Sequence, residues 1–244
     1  MPAHSDKGHT NNVASLDKLN SSVAGFGAAY NPSKVALKLI ALQSLSASAK
    51  TCLTNLNTTE AAVKAAAAVR KVAFSSFDNL ATRALNALIA TDSSDQVDEN
   101  AKTIVRKIRG QRASAKLTDT QKTALVSTKQ ISSSQLTFDS RIENFDRLIK
   151  LLSSTPLYIP NESELKIAML TVYLNNIKTK NVAVLIATIA LDNARIARND
   201  LFYKPNTGLV DIGLDVKTYV KSLFGAASPQ YKQVGGISFR TIKG

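Results

Sequence analysis

One 13-residue segment occurs twice in this chain and constrains its fold more than any other feature. Tyr30–Leu42 reads YNPSKVALKLIAL, and Tyr158–Leu170 reads YIPNESELKIAML. At a constant spacing of 128 residues the tyrosine, the proline, the Leu-Lys pair and the final leucine all recur. A repeat of about half the chain predicts two similar structural units, each long enough to bury a core.

The composition favours helices with aliphatic cores. Hydrophobic residues make up 44% of the chain and charged residues 20%, while aromatic residues make up only 6% and tryptophan is absent. This is a globular composition, and apolar residues recur at the helical spacing of three and four from Leu42 to Leu56. The predicted fold is all-α, with two tandem, internally duplicated four-helix up-and-down bundles.

Capping patterns and glycines set the predicted helix boundaries. In the first half, Ser33 is predicted to cap a helix, the capping box Asn57–Glu60 to open a long Ala-rich helix to about Ala90, and Gly110 to close the next helix in a left-handed conformation. In the second half, helices are predicted over 133–152, from the capping box Asn161–Glu164 to about Lys178, over Val182–Phe202 and over Leu209–Phe224.

Two further string matches extend the repeat. Leu191–Asn193 matches Phe77–Asn79 at a spacing of 114, and Lys217 and Val220 match Lys102 and Val105 at a spacing of 115. These matches predict that the last helix of each bundle is equivalent. The predicted divisions are a disordered tail over 1–11, a first bundle with a basic connector over 12–132, and a second bundle with a basic C-terminal tail over 133–244.

The C-terminal part of the chain also resembles a group of bacterial proteins. The string GLVDIGLDVKTYVKSLFGAASPQYKQVGGISF, with the preceding segment Ser132–Arg141, is similar to uncharacterised bacterial proteins that share a GLVD, VK-Tyr, FG, SPQYKQ pattern. The resemblance covers most of the chain from about Ser132 onward. It supports the fold unit and implies no activity and no functional residue.

The positive charge is concentrated in two segments. The formal net charge is +13, of which residues 101–129 carry +7 and residues 216–244 carry +5. Because the string match aligns these segments, and because Lys102, Arg106 and Arg109 share a helix face, a repeated basic face is predicted. The candidate anion-binding residues are Lys102, Arg106, Arg109, Arg112, Lys116, Lys217, Lys221 and Lys232.

Two interpretations of this charge remain open. One is a surface for nucleic acid, an acidic protein or a membrane headgroup layer. The other is a solvated face, helped by the preference for cations at helix C-termini, which accounts for only some of the residues. No zinc-finger, RNP-like or helix-turn-helix pattern is present, so any contact with nucleic acid is expected to be phosphate-based and independent of base sequence.

Signs of enzyme chemistry are missing. No nucleotide-binding, zinc-protease or serine-hydrolase motif occurs, and His4 and His9 both lie in the predicted tail without further metal ligands. Asp211 and Asp215 share a helix face, for which surface ion pairing is the expected explanation. No enzymatic activity, cofactor or metal is predicted. The single cysteine, Cys52, is expected to be a small core residue rather than a disulfide partner.

The resulting hypothesis is a non-enzymatic structural or interaction protein that presents repeated basic helical surfaces to an assembly or an anionic partner. The alternative is a sequence-independent nucleic-acid-binding protein. An oligomer or larger assembly is compatible with either. The longest apolar run, Val182–Leu191, is about half of the ~20 residues that a membrane span needs, so no span and a cytoplasmic location are expected.

Overall fold

The computed structural model describes residues 7–111 and 137–241, and this part of the chain is helical with no strand. The all-α prediction is confirmed. The eight α-helices of the described residues are α1 (Lys7–Gly25), α2 (Leu39–Ala73), α3 (Phe77–Ile89), α4 (Asp95–Ile108), α5 (Phe138–Ser153), α6 (Ile167–Tyr203), α7 (Leu209–Phe224) and α8 (Pro229–Gly235). Short 3₁₀ turns occur at Gly27–Ala29, Val35–Leu37 and Ser163–Leu165.

The chain forms two compact units that draw on both halves of the sequence. Of the described residues, unit 1 contains 7–63 and 187–241, and unit 2 contains 64–111 and 137–186. Both boundaries fall inside a long helix, one within α2 and the other within α6. The compact units therefore differ from the predicted bundles over 12–132 and 133–244, whose division lies outside the described residues. Duplication of a complete four-helix bundle stays a prediction.

The core of unit 1 is mainly aliphatic. Leu19 of α1 and Leu42 of α2 pack with Val216 and Val220 of α7 and with Val234 of α8, and all five side chains are buried. A neighbouring cluster joins α1, α2 and the end of α6; its members include Leu16, Ala49 and Phe202. These contacts bury the apolar stripes that the three-and-four spacing predicts.

The core of unit 2 is larger and more aromatic. Phe77 of α3 and Phe145 of α5 are fully buried, with ring centroids 5.1 Å apart. Ile108 of α4 and Leu170 of α6 belong to the same cluster. The Tyr173 ring lies 5.9 Å from Phe145, edge to face, and its hydroxyl donates to the Ala73 carbonyl over 2.7 Å.

The repeated tyrosine segment forms the same corner in each unit. The hydroxyl of Tyr30 donates to the carbonyl of Leu37 over 2.7 Å, and the hydroxyl of Tyr158 donates to the carbonyl of Leu165 over 2.8 Å. Both rings are buried, and burial raises the pKa of Tyr30 well above its usual range and that of Tyr158 to about 12. In each case a 3₁₀ turn leads from the tyrosine into a long helix. The repeat therefore recurs as structure at this corner.

The predicted capping sites are wrong. Asn57–Glu60 lies inside α2, where the Thr58 and Thr59 hydroxyls donate to carbonyls four residues earlier. Neither Ser33 nor Asn161–Glu164 caps an α-helix, since the chain there forms the 3₁₀ turns Val35–Leu37 and Ser163–Leu165, neither of which has a side-chain cap. A capping box acts only where the chain arrives in a non-helical conformation, and the Ala-rich stretch after Asn57 has a high helix propensity.

Helix lengths also differ from the prediction. α6 continues without interruption through 178–182, where two helices were predicted. α1 begins at Lys7, so residues 7–11, predicted to be a disordered tail, are helical. Within α1, His9 is buried, and its ring centroid lies 5.4 Å from that of Phe202. His4 lies outside the described residues.

The predicted helix stop at Gly110 is confirmed. Gly110, just after α4, and Gly27, just after α1, both have left-handed backbones, with φ of 66° and 59°. After α4 the amide of Gly110 donates to the Lys107 carbonyl, and that of Gln111 donates to the Arg106 carbonyl. This is the paired hydrogen bonding of a Schellman end, which satisfies the last helical carbonyls.

Candidate functional site

The first predicted basic set lies on α4 in unit 2. Lys102 and Arg109 are exposed and Arg106 is half-buried, all on the side of α4 away from the buried Ala101, Val105 and Ile108. The ammonium of Lys102 lies 2.8 Å from a carboxylate oxygen of Glu99, and this hydrogen bond raises the lysine pKa. Arg112 and Lys116 lie outside the described residues.

The second predicted basic set lies in unit 1 and is engaged differently. The Lys217 ammonium of α7 donates to the Ile237 carbonyl over 2.8 Å and is half-buried. The Lys221 ammonium lies 5.8 Å from the centroid of the Tyr231 ring, a cation–π contact with α8. Lys232 on α8 is exposed. Two of the three cations therefore hold the C-terminal part of unit 1 together.

The predicted structural equivalence of the two basic sets is wrong. α7 packs against the 3₁₀ turn Val35–Leu37, and α3 packs against the matching turn Ser163–Leu165. By these contacts α7 corresponds to α3, whereas Lys102, Arg106 and Arg109 lie on α4. The string match at a spacing of 115 joins helices with different neighbours, just as Leu191–Asn193 lies in the middle of α6 while Phe77 begins α3.

The contact of Lys217 is part of a docking site for the C-terminal segment Ile237–Arg240. The side-chain amide of Asn12 donates to the Arg240 carbonyl and accepts from the Arg240 amide, both over 2.8 Å. The Phe239 ring lies over Gly213 of α7, where an added Cβ would come within 2.4 Å of the ring. α1 and α7 thus hold this segment by polar contacts to its backbone and by one close aromatic contact.

A second feature of unit 1 is a cleft of about 480 Å³ between α1 and the start of α2. Its polar lining residues are Asp17, Asn20, Ser21, Gln43, Ser46 and Lys50, with Ala24 and Ala47 as its small apolar residues. We call it the polar cleft. The Asp17 carboxylate accepts a hydrogen bond from the Ser46 hydroxyl and lies 2.8 Å from the Lys50 ammonium. Burial opposes ionisation of Asp17, but the hydrogen bonds from Lys50 and Ser46 outweigh it and lower the pKa of this carboxyl.

The side chain of Asn20, in the polar cleft, has a buried oxygen that accepts no hydrogen bond from the described residues. It is 8% exposed, and its amide nitrogen donates to the Leu42 carbonyl over 3.2 Å. Because that partner can only accept, the amide orientation is set, and its oxygen has no hydrogen-bond partner among the described residues. Sequence reasoning missed Asn12, Asn20 and Ser46, since an isolated polar residue in an amphipathic helix has no pattern that distinguishes a buried position from an exposed one.

The described residues contain neither a group of metal ligands nor a membrane-spanning helix. Within 7–111 and 137–241 no three His, Cys, Asp or Glu side chains come together as a metal site. The same residues include no helix with the length and apolar content needed to cross a membrane. Asp215, predicted to form a surface ion pair, lies 2.6 Å from the Lys34 ammonium. Asp211 instead accepts a hydrogen bond from the Asn206 amide.

The chain has no match among protein-family models, curated proteins or solved structures. A functional proposal therefore depends on the residues and geometry described above.

Proposed function

We propose that this chain is a non-enzymatic interaction protein and that the basic surface of α4 binds an anionic partner. The supporting observation is the charge asymmetry of α4. Its first turn contains Asp95 and Asp98, and its last turn contains Arg106 and Lys107, followed by Arg109 at the C-cap. In the sequence, further cations follow the helix, beginning with Arg112 and Lys116.

The helix dipole accounts for part of this arrangement. Cations near a helix C-terminus are each stabilised by about 0.3–1 kcal/mol. The Schellman end already satisfies the Lys107 and Arg106 carbonyls through backbone amides. The arginine side chains are therefore not needed as caps and can form bidentate contacts with carboxylates or phosphates.

A sequence-independent nucleic-acid-binding protein is the second candidate. α4 contains no aromatic residue, so its own surface offers charge but no platform for base stacking. Contact through α4 would be to phosphates, and its affinity would fall steeply with salt concentration. An acidic protein surface would also bind more weakly at high salt.

Fluorescence anisotropy with a labelled polyglutamate peptide and with duplex and single-stranded DNA and RNA tests both candidates. We expect salt-sensitive binding of at least one probe and a clear loss in the double variant Arg106→Gln and Arg109→Gln. For duplex DNA that both arginines contact, the slope of log affinity against log salt should fall in magnitude by about 1.8.

The matched control is Lys38→Gln with Lys204→Gln, which removes two exposed cations from unit 1. It carries the same change in net charge, and we expect it to leave binding nearly unchanged. Equal losses in the two double variants would mean that overall charge, not the α4 surface, attracts the probe. Absence of binding to every probe at low salt would contradict the proposal.

A further inference from the structure

Each unit has an aspartate that pairs with a lysine of the next long helix: α1 pairs with α2 in unit 1, and α5 pairs with α6 in unit 2. In unit 1 Asp17 lies 2.8 Å from Lys50, and in unit 2 Asp146 lies 3.7 Å from Lys178. The aspartates are 129 residues apart and the lysines 128 apart. This shared pair aligns the polar cleft of unit 1 with its counterpart region in unit 2, residue by residue.

The alignment shows where the two regions differ. At the positions of Asn20 and Ser46, unit 2 has Ile149 and Leu174, and both of these are buried in its core. Asn20 and Ser46 are equally buried, at 8% and 3% exposure. Unit 2 thus shows that the same helix pair can close with two aliphatic side chains, while unit 1 keeps two buried polar ones at a cost in stability.

Contacts among the described residues recover only part of this cost. Ser46 donates to Asp17, but the Asn20 oxygen has no partner among the described residues. A buried polar atom without a partner is rare in folded proteins and calls for a specific explanation. A residue that weakens its own unit and lines a cleft is typical of a ligand-binding position.

From this geometry we propose that the polar cleft binds a neutral, hydroxyl-rich small molecule, such as a polyol or monosaccharide. Asp17 and Lys50 already neutralise each other, so the cleft offers no unpaired charge to an ionic ligand. The atom that lacks a partner is a neutral amide oxygen, which requires an O–H or N–H donor. Hydroxyl groups donate and accept, and so match both this oxygen and the hydroxyl and amide groups of Ser21 and Gln43.

The volume of the polar cleft is large enough for a polyol or a monosaccharide. Small-molecule sites in proteins enclose about 300–1,000 Å³, and the polar cleft encloses about 480 Å³. Ala24 and Ala47 leave room beside the polar groups. The hydroxyl-rich probe would lie along the Asp17–Lys50 pair and donate one hydrogen bond to Asn20.

Titration of the ¹⁵N-labelled full chain with myo-inositol, glucose and glycerol, followed by NMR, tests the proposal; glycine and inorganic phosphate serve as charged comparators. We expect saturable shifts for at least one polyol, concentrated in α1 and the first turns of α2. The double variant Asn20→Ile and Ser46→Leu, which copies unit 2, should weaken binding at least about tenfold, because it removes hydrogen-bonding groups that would hold the ligand.

Because a doubly substituted core could fold poorly, Lys50→Ala supplies a second test at an exposed position. It should also weaken polyol binding, while the matched variant Lys178→Ala in unit 2 should leave binding unchanged. The proposal is overturned if no polyol gives saturable shifts, if glycine or phosphate binds this cleft in preference to polyols, or if the unit 1 variants bind polyols as the original chain does.

Discussion

Unit 1 and unit 2 pack corresponding helix faces with different chemistry. Along the packed faces of α1 and α5, the residues 129 apart are His9 and Phe138, Asn12 and Arg141, Leu16 and Phe145, and Asn20 and Ile149. The first pair makes a comparable ring contact in both units, since His9 packs on Phe202 and Phe138 packs on Phe74, with ring centroids 5.4 and 4.8 Å apart. At these four positions unit 2 has two aromatic residues, one aliphatic residue and one arginine, whereas unit 1 has one leucine and three polar residues.

The difference between Asn12 and Arg141 shows what the polar groups do. In unit 2 the Arg141 guanidinium lies 4.7 Å from the Phe77 ring centroid and 2.6 Å from an Asp78 carboxylate oxygen, so its contacts stay within the helical core. In unit 1 Asn12 binds the backbone of the C-terminal segment instead. Unit 2 uses its inward face for packing, and unit 1 uses the same face to hold a peptide segment and to line a cleft.

The largest predicted difference is between Phe145→Ala and Leu16→Ala. Both side chains are fully buried, but Phe145 contacts two other aromatic rings. We expect a loss of unfolding free energy of about 3–5 kcal/mol for Phe145→Ala and about 2–4 kcal/mol for Leu16→Ala. Hydrogen exchange of α5 and α1 peptides would measure each effect in its own unit. Equal loss of protection in both units for each variant would show that they do not unfold separately.

The tyrosine corners should respond alike. Tyr30→Phe and Tyr158→Phe each remove one buried hydrogen bond and leave a carbonyl without its donor, with an expected cost of about 1–2 kcal/mol. Chemical denaturation of the two variants measures this. A cost confined to one corner would mean that the repeated geometry is not energetically equivalent.

The stability that Tyr30 and Tyr158 contribute should also depend on pH in the alkaline range. Burial raises both tyrosine pKa values in the folded chain, so the folded state keeps these protons when the unfolded state loses them. Their contribution is therefore complete below about pH 10, the ordinary tyrosine pKa, and is lost as pH rises above it. Each Tyr→Phe variant should show a smaller alkaline loss of stability than the original chain.

The substitution Asn20→Ile is expected to increase the unfolding free energy of unit 1, by less than the core substitutions decrease it. The variant removes a buried oxygen that lacks a partner and places the residue that unit 2 uses at the same position. We expect unit 1 to gain about 1 kcal/mol of stability, after the loss of the hydrogen bond to Leu42. Protection of α1 amides measures the gain, and Ser21→Ala on the exposed side of α1 serves as a control. A loss of stability would show that Asn20 stabilises the fold.

The smallest predicted effects belong to the Asp–Lys pairs. Lys50→Ala and Lys178→Ala should each cost no more than about 0.5 kcal/mol, because both pairs are substantially exposed. Lys178→Ala should cost less, since Lys150 remains 2.6 Å from Asp146 and is the main cause of that carboxyl's lowered pKa. Both aspartates stabilise the fold above their unfolded pKa of about 4 and lose that contribution as pH falls. Unfolding free energies of both variants, measured from neutral to acid pH, check that Lys178→Ala costs less than Lys50→Ala.

The sequence predicted the features that depend on local pattern. The paired tyrosine corners follow from the repeated box, and the left-handed Gly110 follows from its position after an amphipathic stretch. Helix starts were misplaced because the same Asn and Thr residues that cap a helix are tolerated inside one, where the hydroxyls donate to earlier carbonyls.

The candidate sites depended on tertiary contacts and could be predicted only in part. Lys102, Arg106 and Arg109 were correctly placed on one side of a helix, because periodicity alone determines that. Lys217 was taken for a surface cation, yet it binds the Ile237 carbonyl of a segment 20 residues away. No local pattern reports that contact.

The discontinuity of unit 1 has a consequence for the order in which the chain can fold during synthesis. Unit 2 is continuous, so all its residues have left the ribosome once residue 186 has emerged. Unit 1 cannot be completed until α7 and α8 follow, since α1 and the start of α2 pack against these two later helices. Domains generally fold as units as they emerge. Until α7 and α8 have been synthesised, the apolar face of α1 that packs against them therefore stays exposed. Within unit 2 the Arg70 guanidinium of α2 donates to the Asn181 side-chain oxygen of α6 over 2.9 Å. Folding of unit 2 therefore pairs α2 with α6 and lowers the loop-closure entropy that unit 1 must overcome.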